Sequence, residues 1–141
     1  MGTGFFPGLG KLLFGTHSAS TPTRLTADGE AANANNIWVV PQGVSQAFRI
    51  RLFASNVETP GTDYFSQVSG IVHRPGAAAT VTVDLGTPEA VSNGTTTGAA
   101  VAITADTTLG GISITFDPPT GNTDKWNFSA QMDILMEQAH D

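Results

Sequence analysis

Cysteine is absent and charge is scarce. Without a thiol, the 141-residue chain has no disulfide and no thiolate metal ligand, although that alone does not fix its compartment. Charged residues make up 13%, about half the ~25% usual in soluble domains. The surface must therefore be built largely from Ser, Thr, Asn, Gln and Gly. Six Lys and Arg stand against twelve Asp and Glu, for a net charge of −6. So few cations, scattered along the chain, do not make the basic patch that a row of phosphates requires. Neither nucleic acid nor an anionic membrane is an expected partner.

Groupings that carry chemistry are missing too. His17, His73 and His140 lie far apart with no metal-ligand spacing, and they read as two histidines in flexible ends and one on a strand. Asp84, Asp106, Asp117 and Asp124 could approach one another at one end of a β-structure. No EF-hand spacing accompanies them, however, and Asp is a common turn residue. A glycosidase needs two opposed carboxylates in a cleft lined by sugar-stacking aromatics. Trp38, Tyr64 and Trp126 are few, and both tryptophans read as core. No serine lies in a G-x-S-x-G elbow. A phosphate loop fails because Phe5 stands where its first glycine belongs and Leu12 where its Ser or Thr belongs. The expectation is a chain with no catalytic residue, cofactor or metal ligand.

What is present begins at the N-terminus. Phe5, Phe6, Leu9, Leu12, Leu13 and Phe14 crowd the first fourteen residues, with Lys11 the only charge among them. This arm does not read well as a signal peptide, since no side-chain cation precedes it and Pro7, Gly8, Gly10 and Lys11 interrupt the apolar run. It is too short and broken to span a bilayer. Phe6 occupies the position where N-myristoylation requires Ser or Thr. The spacing of Phe5, Leu9, Leu12 and Leu13 permits a short helix with one apolar face; an extended arm laid across a neighbouring subunit is the alternative. Full burial of each such side chain is worth roughly 1.5–3 kcal/mol, so all six are candidate assembly contacts. Residues 1–20 are accordingly read as arm and polar linker, and 21–141 as the folded domain.

From Ile37 onward, strand patterns recur with turn residues between them. Phe48, Ile50, Leu52 and Ala54 share one face of a segment whose other face carries Arg49, Arg51 and Phe53. Tyr64–Arg74 reads as a longer strand. Val81, Val83 and Leu85 alternate, as do Ile112, Ile114 and Phe116. Ala99–Ala105 is a further strand, and Ser92-Asn93-Gly94 reads as a hairpin-type turn. Trp126, Phe128, Ala130, Met132 and Ile134 form the cleanest alternating face. Seven or eight short strands predict an all-β fold, an antiparallel, jelly-roll-like β-sandwich.

The order of motifs from Thr21 to Glu137 also resembles a family of β-sandwich modules recurring in bacteriophage virion surface proteins. Its carriers are Leu25-Thr26-Ala27-Asp28-Gly29, Asn36-Ile37-Trp38-Val39-Val40-Pro41, Gln46-Ala47-Phe48 and Ser69-Gly70-Ile71-Val72-His73-Arg74. They continue with Ala105-Asp106-Thr107-Thr108-Leu109-Gly110-Gly111-Ile112-Ser113-Ile114 and with Trp126. The resemblance implies a non-enzymatic, often multimeric, structural or adhesive unit on the virion surface, assembled in the host cytoplasm. With the arm as its particular feature, the chain is expected to decorate or cement a capsid as a trimer, partnered by the major capsid protein or another virion protein. A short tail-fibre or spike module that binds host glycan through loops Thr59–Tyr64 and Ser92–Gly98 is the alternative.

Overall fold

Alternating apolar and polar side chains drive the longest strands. The computed structural model describes residues 11–140. Ten strands follow one another: β1 (Lys11–Ala19), β2 (Thr23–Arg24), β3 (Trp38–Val39), β4 (Val44–Asn56), β5 (Asp63–Arg74), β6 (Thr82–Leu85), β7 (Glu89–Asn93), β8 (Ala100–Asp106), β9 (Gly111–Asp117) and β10 (Trp126–Ala139). One 3-10 turn, Ala78–Thr80, precedes β6, and no α-helix occurs among the described residues.

Two antiparallel sheets result. The larger runs β1-β10-β4-β5, with β6 and β7 sharing the far edge of β5: β6 pairs with Gly70–His73 and β7 with Asp63–Gln67. In the smaller sheet β8 follows β9 along its whole length, so β2 and β3 lie end to end on the other edge, opposite Thr115–Phe116 and Gly111–Ile112. The first strand thus pairs with the last and the second with the last but one, each pair in a different sheet. These two pairings follow the wrapping of a jelly roll, but β3 also returns to β9, and the β4–β5 and β8–β9 hairpins each stay within one sheet. The fold is the expected all-β sandwich.

Its core is the set of inward faces. Phe48, Ile50, Leu52 and Ala54 from β4 meet Ile112, Ile114 and Phe116 from β9, while Trp126, Phe128, Met132 and Ile134 come from β10. The Phe116 ring lies 4.9 Å from Phe128 and 5.8 Å from Trp126, centre to centre, and is tilted to both. Trp38 is also buried, and its indole N–H donates to Gln46 Oε1 at 2.8 Å. Both tryptophans are core, as the sequence indicated.

The turn from β8 to β9 has a local cause. Asp106 Oδ1 accepts the backbone N–H groups of Thr108 (3.0 Å) and Leu109 (2.8 Å), and Gly110 adopts a φ of 78°. A Cβ on Gly111 would collide with the Trp38 carbonyl oxygen. Glycine there lets β3 close against β9.

Several expectations change. Residues 11–19 form a strand rather than a helix or a linker, and β1 is the edge of the larger sheet. The boundary drawn at residue 20 falls between β1 and β2. Ser92-Asn93-Gly94 does not close a hairpin; it lies where the chain leaves β7 in the larger sheet for β8 in the smaller one. His17 is not in a flexible end: it is buried in β1 and stacks on Phe128 at 5.7 Å. Its Nδ1 donates to the Gly15 carbonyl (2.6 Å) and its Nε2 accepts the Thr26 N–H (3.2 Å).

Candidate functional site: an apolar outer face and a polar end cup

Pairing register decides which residues share a row on the solvent side of the larger sheet. One row joins Ser129, Phe53, Phe65 and Val91 across β10, β4, β5 and β7. The next joins Leu13, Gln131, Arg51, Gln67 and Glu89. Beyond it, Lys11, Asp133, Arg49 and Ser69 are aligned. A solvated sheet face is normally polar. Here Phe53 is 50% exposed, Leu13 61% and Val91 70%. Leu13, Phe53 and Phe65 line one shallow groove with Arg51, Ser129 and Gln131.

This face also gathers half the chain's cations. Lys11, Arg49 and Arg51 sit in adjoining rows around Asp133, with Glu89 at the far end of the Arg51 row; Asp133 Oδ2 lies 2.7 Å from Arg51 Nη2. Asp133 also accepts two contacts from Gln131 Nε2, at 3.0 and 3.2 Å. The face is therefore apolar with a cationic flank, on a chain that is acidic overall. Further along, Ile71 and Met136 flank Ala47 on the same side and are 54% and 63% exposed.

The six arm residues divide. Phe5, Phe6 and Leu9 lie outside the described residues. Phe14 is 3% exposed and belongs to the chain's own core, against which Leu12 also packs. Leu13 alone of the described three points outward, into the groove beside Phe53 and Phe65. Phe53, Phe65 and Val91 were not singled out in the sequence. The signal available was Phe53, an aromatic on the face that Arg49 and Arg51 mark as solvated.

At one end of the sandwich the loops Thr59–Tyr64 and Ser92–Gly98 come together. Asp63 N–H donates to Asn93 Oδ1 at 2.7 Å, and Thr120 N–H donates to the Thr97 carbonyl at 3.0 Å. Thr59, Thr62, Thr95, Thr120, Asn122 and Asp124 line a cup of about 310 Å³ there. Asn56 Nδ2 (3.0 Å) and Thr59 Oγ1 (3.2 Å) both donate to Asp124 Oδ2. Trp126 forms the floor, but its ring is buried and its N–H is held by Asn122 Oδ1 at 3.0 Å. The cup thus offers hydroxyls and amides without an aromatic platform.

The four aspartates do not converge. Asp106 and Asp124 lie beyond opposite ends of β9, and Asp106 is paired with Arg24 at 2.8 Å. Burial pushes the Asp106 carboxyl up, but the Leu109 N–H, the Arg24 guanidinium and the Thr108 N–H together hold it below its ordinary value. Asp28 is lowered as well, chiefly by hydrogen bonds from the Asn36 side chain and the Glu30 N–H. Among the described residues, no group of three or more His, Cys, Asp and Glu gathers as a metal site.

No family model matches the chain, and no curated protein matches it. Among solved structures, the tailspike protein of Acinetobacter baumannii phage AM24 superimposes with a TM-score of 0.46 at 9% identity, over 90% of this chain and 26% of that one. The chain thus spans about a quarter of that neighbour's length. A likeness so loose says nothing of activity or partner.

Proposed function

We propose that the chain is a non-enzymatic structural protein of a bacteriophage virion, a capsid decoration protein that docks through the outer face of its larger sheet. The observation that carries this reading is the contiguous row of Phe53, Phe65 and Val91 with Leu13 beside it. Apolar side chains placed in register on a solvated face call for a covering surface. The cationic flank of Lys11, Arg49 and Arg51 favours an apolar partner bearing carboxylates. Residues 2–10, with Phe5, Phe6 and Leu9, precede in the sequence the edge strand of that same sheet and are included in the proposed contact. The motif order noted above supports placement on the virion surface; a trimer seated on the major capsid protein is the arrangement proposed.

The test removes residues 2–10, which leaves β1 intact, and measures co-sedimentation with capsids of the phage that encodes the chain. Occupancy should fall by at least tenfold. Full occupancy by the truncated protein contradicts an anchoring role for the arm.

A second reading, a short fibre or spike module that binds host glycan, is favoured by the meeting of the two neutral loops around the end cup. Hydroxyl and amide groups without a stacking ring suit weak, multivalent sugar contacts. A glycan array probed with the multimerised chain discriminates: saturable hits lost in Thr59→Ala/Thr95→Ala favour this reading, and an array without hits counts against it.

A further inference from the structure

Two of the three histidines, 67 positions apart in the sequence, meet on the outer face. Ser45 on β4 stands opposite His73 on β5, and His140 follows the end of β10, where its N–H donates to the Gly43 carbonyl at 2.9 Å. Ser45 Oγ lies 2.7 Å from His73 Nδ1 and 2.7 Å from His140 Nε2. The two rings are 4.4 Å apart, centre to centre, and tilted by 39°.

A serine hydroxyl has one proton. It either donates to one ring nitrogen and accepts an N–H from the other, or accepts an N–H from both. Where it donates to one of them, that nitrogen presents its lone pair, not a proton, to Ser45 Oγ. Neighbouring ligands of a divalent ion bound at ~2.0–2.2 Å lie about 2.9–3.5 Å apart. The two 2.7 Å edges need to open to reach that spacing, by about 0.2–0.8 Å for this range of ligand distances. We propose that His73 Nδ1, His140 Nε2 and Ser45 Oγ form a surface site for one divalent transition-metal ion of the copper, nickel and zinc class, with water completing the shell. Two imidazoles and a neutral oxygen select this class over calcium and magnesium, which take oxygen sets rich in carboxylate. Both histidines must then carry their protons on the nitrogens facing away from the ion. The ion would tie the end of β10 to the β4–β5 hairpin.

The test is calorimetric titration of the full, untagged chain with Ni²⁺. One equivalent should bind, with affinity reduced at least tenfold in His73→Ala and in His140→Ala and a few-fold in Ser45→Ala. Because binding stabilises the folded chain, Ni²⁺ should raise the melting temperature of the wild type and of neither histidine variant. The metal-free melting temperatures of the variants check that they fold. With Cu²⁺ as the probe, electron paramagnetic resonance should show two coupled nitrogens. No saturable binding, unchanged affinity in either histidine variant, half an equivalent per chain, or a single coupled nitrogen each overturns the site.

Discussion

Phe53 on β4 and Phe65 on β5 stand directly opposite each other on the solvent side of the larger sheet, while their neighbours Leu52 and Ser66 are buried beneath it. Such a cross-strand aromatic pair adds about 0.2–1 kcal/mol to a sheet. That is small beside the cost of leaving apolar surface in water. The pair is better explained by what it meets than by what it holds together.

Replacing both rings, Phe53→Ser with Phe65→Ser, should therefore lower unfolding stability by no more than about 1–2 kcal/mol while abolishing association. Urea unfolding and sedimentation velocity, run on the same preparation, separate the two effects. A variant that unfolds far more easily would make the pair structural.

Phe14 and Leu13 are adjacent in β1 but point to opposite sides. Phe14→Ala should cost about 3–5 kcal/mol, as expected for emptying a core site. Leu13→Ser should stay within about 0.5 kcal/mol and weaken docking. Denaturant midpoints distinguish the two.

Asp106→Asn keeps an oxygen for the Thr108 and Leu109 N–H groups but loses the ion pair with Arg24. The expected cost near neutral pH is about 1.5–3 kcal/mol, the range for bonds to charged groups. Because the folded carboxyl is held below its ordinary value, its contribution is complete above the unfolded value of ~3.9 and is lost as pH falls through the folded value. The gap between wild type and variant should thus be constant from about pH 5 to 7 and narrow in acid below ~3.9. Melting curves across pH 2–7 measure it.

Gly111→Ala drives a methyl group into the Trp38 carbonyl. The strand β3 must move away from β9, with a cost of about 1–3 kcal/mol. Differential scanning calorimetry should show a lowered melting temperature, and near-ultraviolet circular dichroism a changed tryptophan signal.

The strands that alternate strongly, β4, β9 and β10, were legible because an inward apolar face every second residue is a local signal. The strand β7 was not. All five of its residues are exposed, and only its ladder to β5 makes it a strand. The strand β1 was hidden for another reason: its partner β10 lies more than a hundred residues away, and Gly15, Thr16 and Ser18 look like linker. The arm's apolar character was visible, but the division between Phe14 inside and Leu13 outside depended on that pairing. The outer row needed the register of two strand pairs to align Phe53 with Phe65 and Val91. For the same reason, histidines scattered in sequence could not be seen to meet at Ser45.

The central claim is that the outer face is the docking surface. It is tested most directly by co-sedimentation of the Leu13→Ser/Phe53→Ser/Phe65→Ser variant with phage capsids beside the wild type, after circular dichroism shows both folded. The account predicts saturable binding by the wild type and none by the variant. Equal occupancy by the two proteins, or no binding by either, would contradict it.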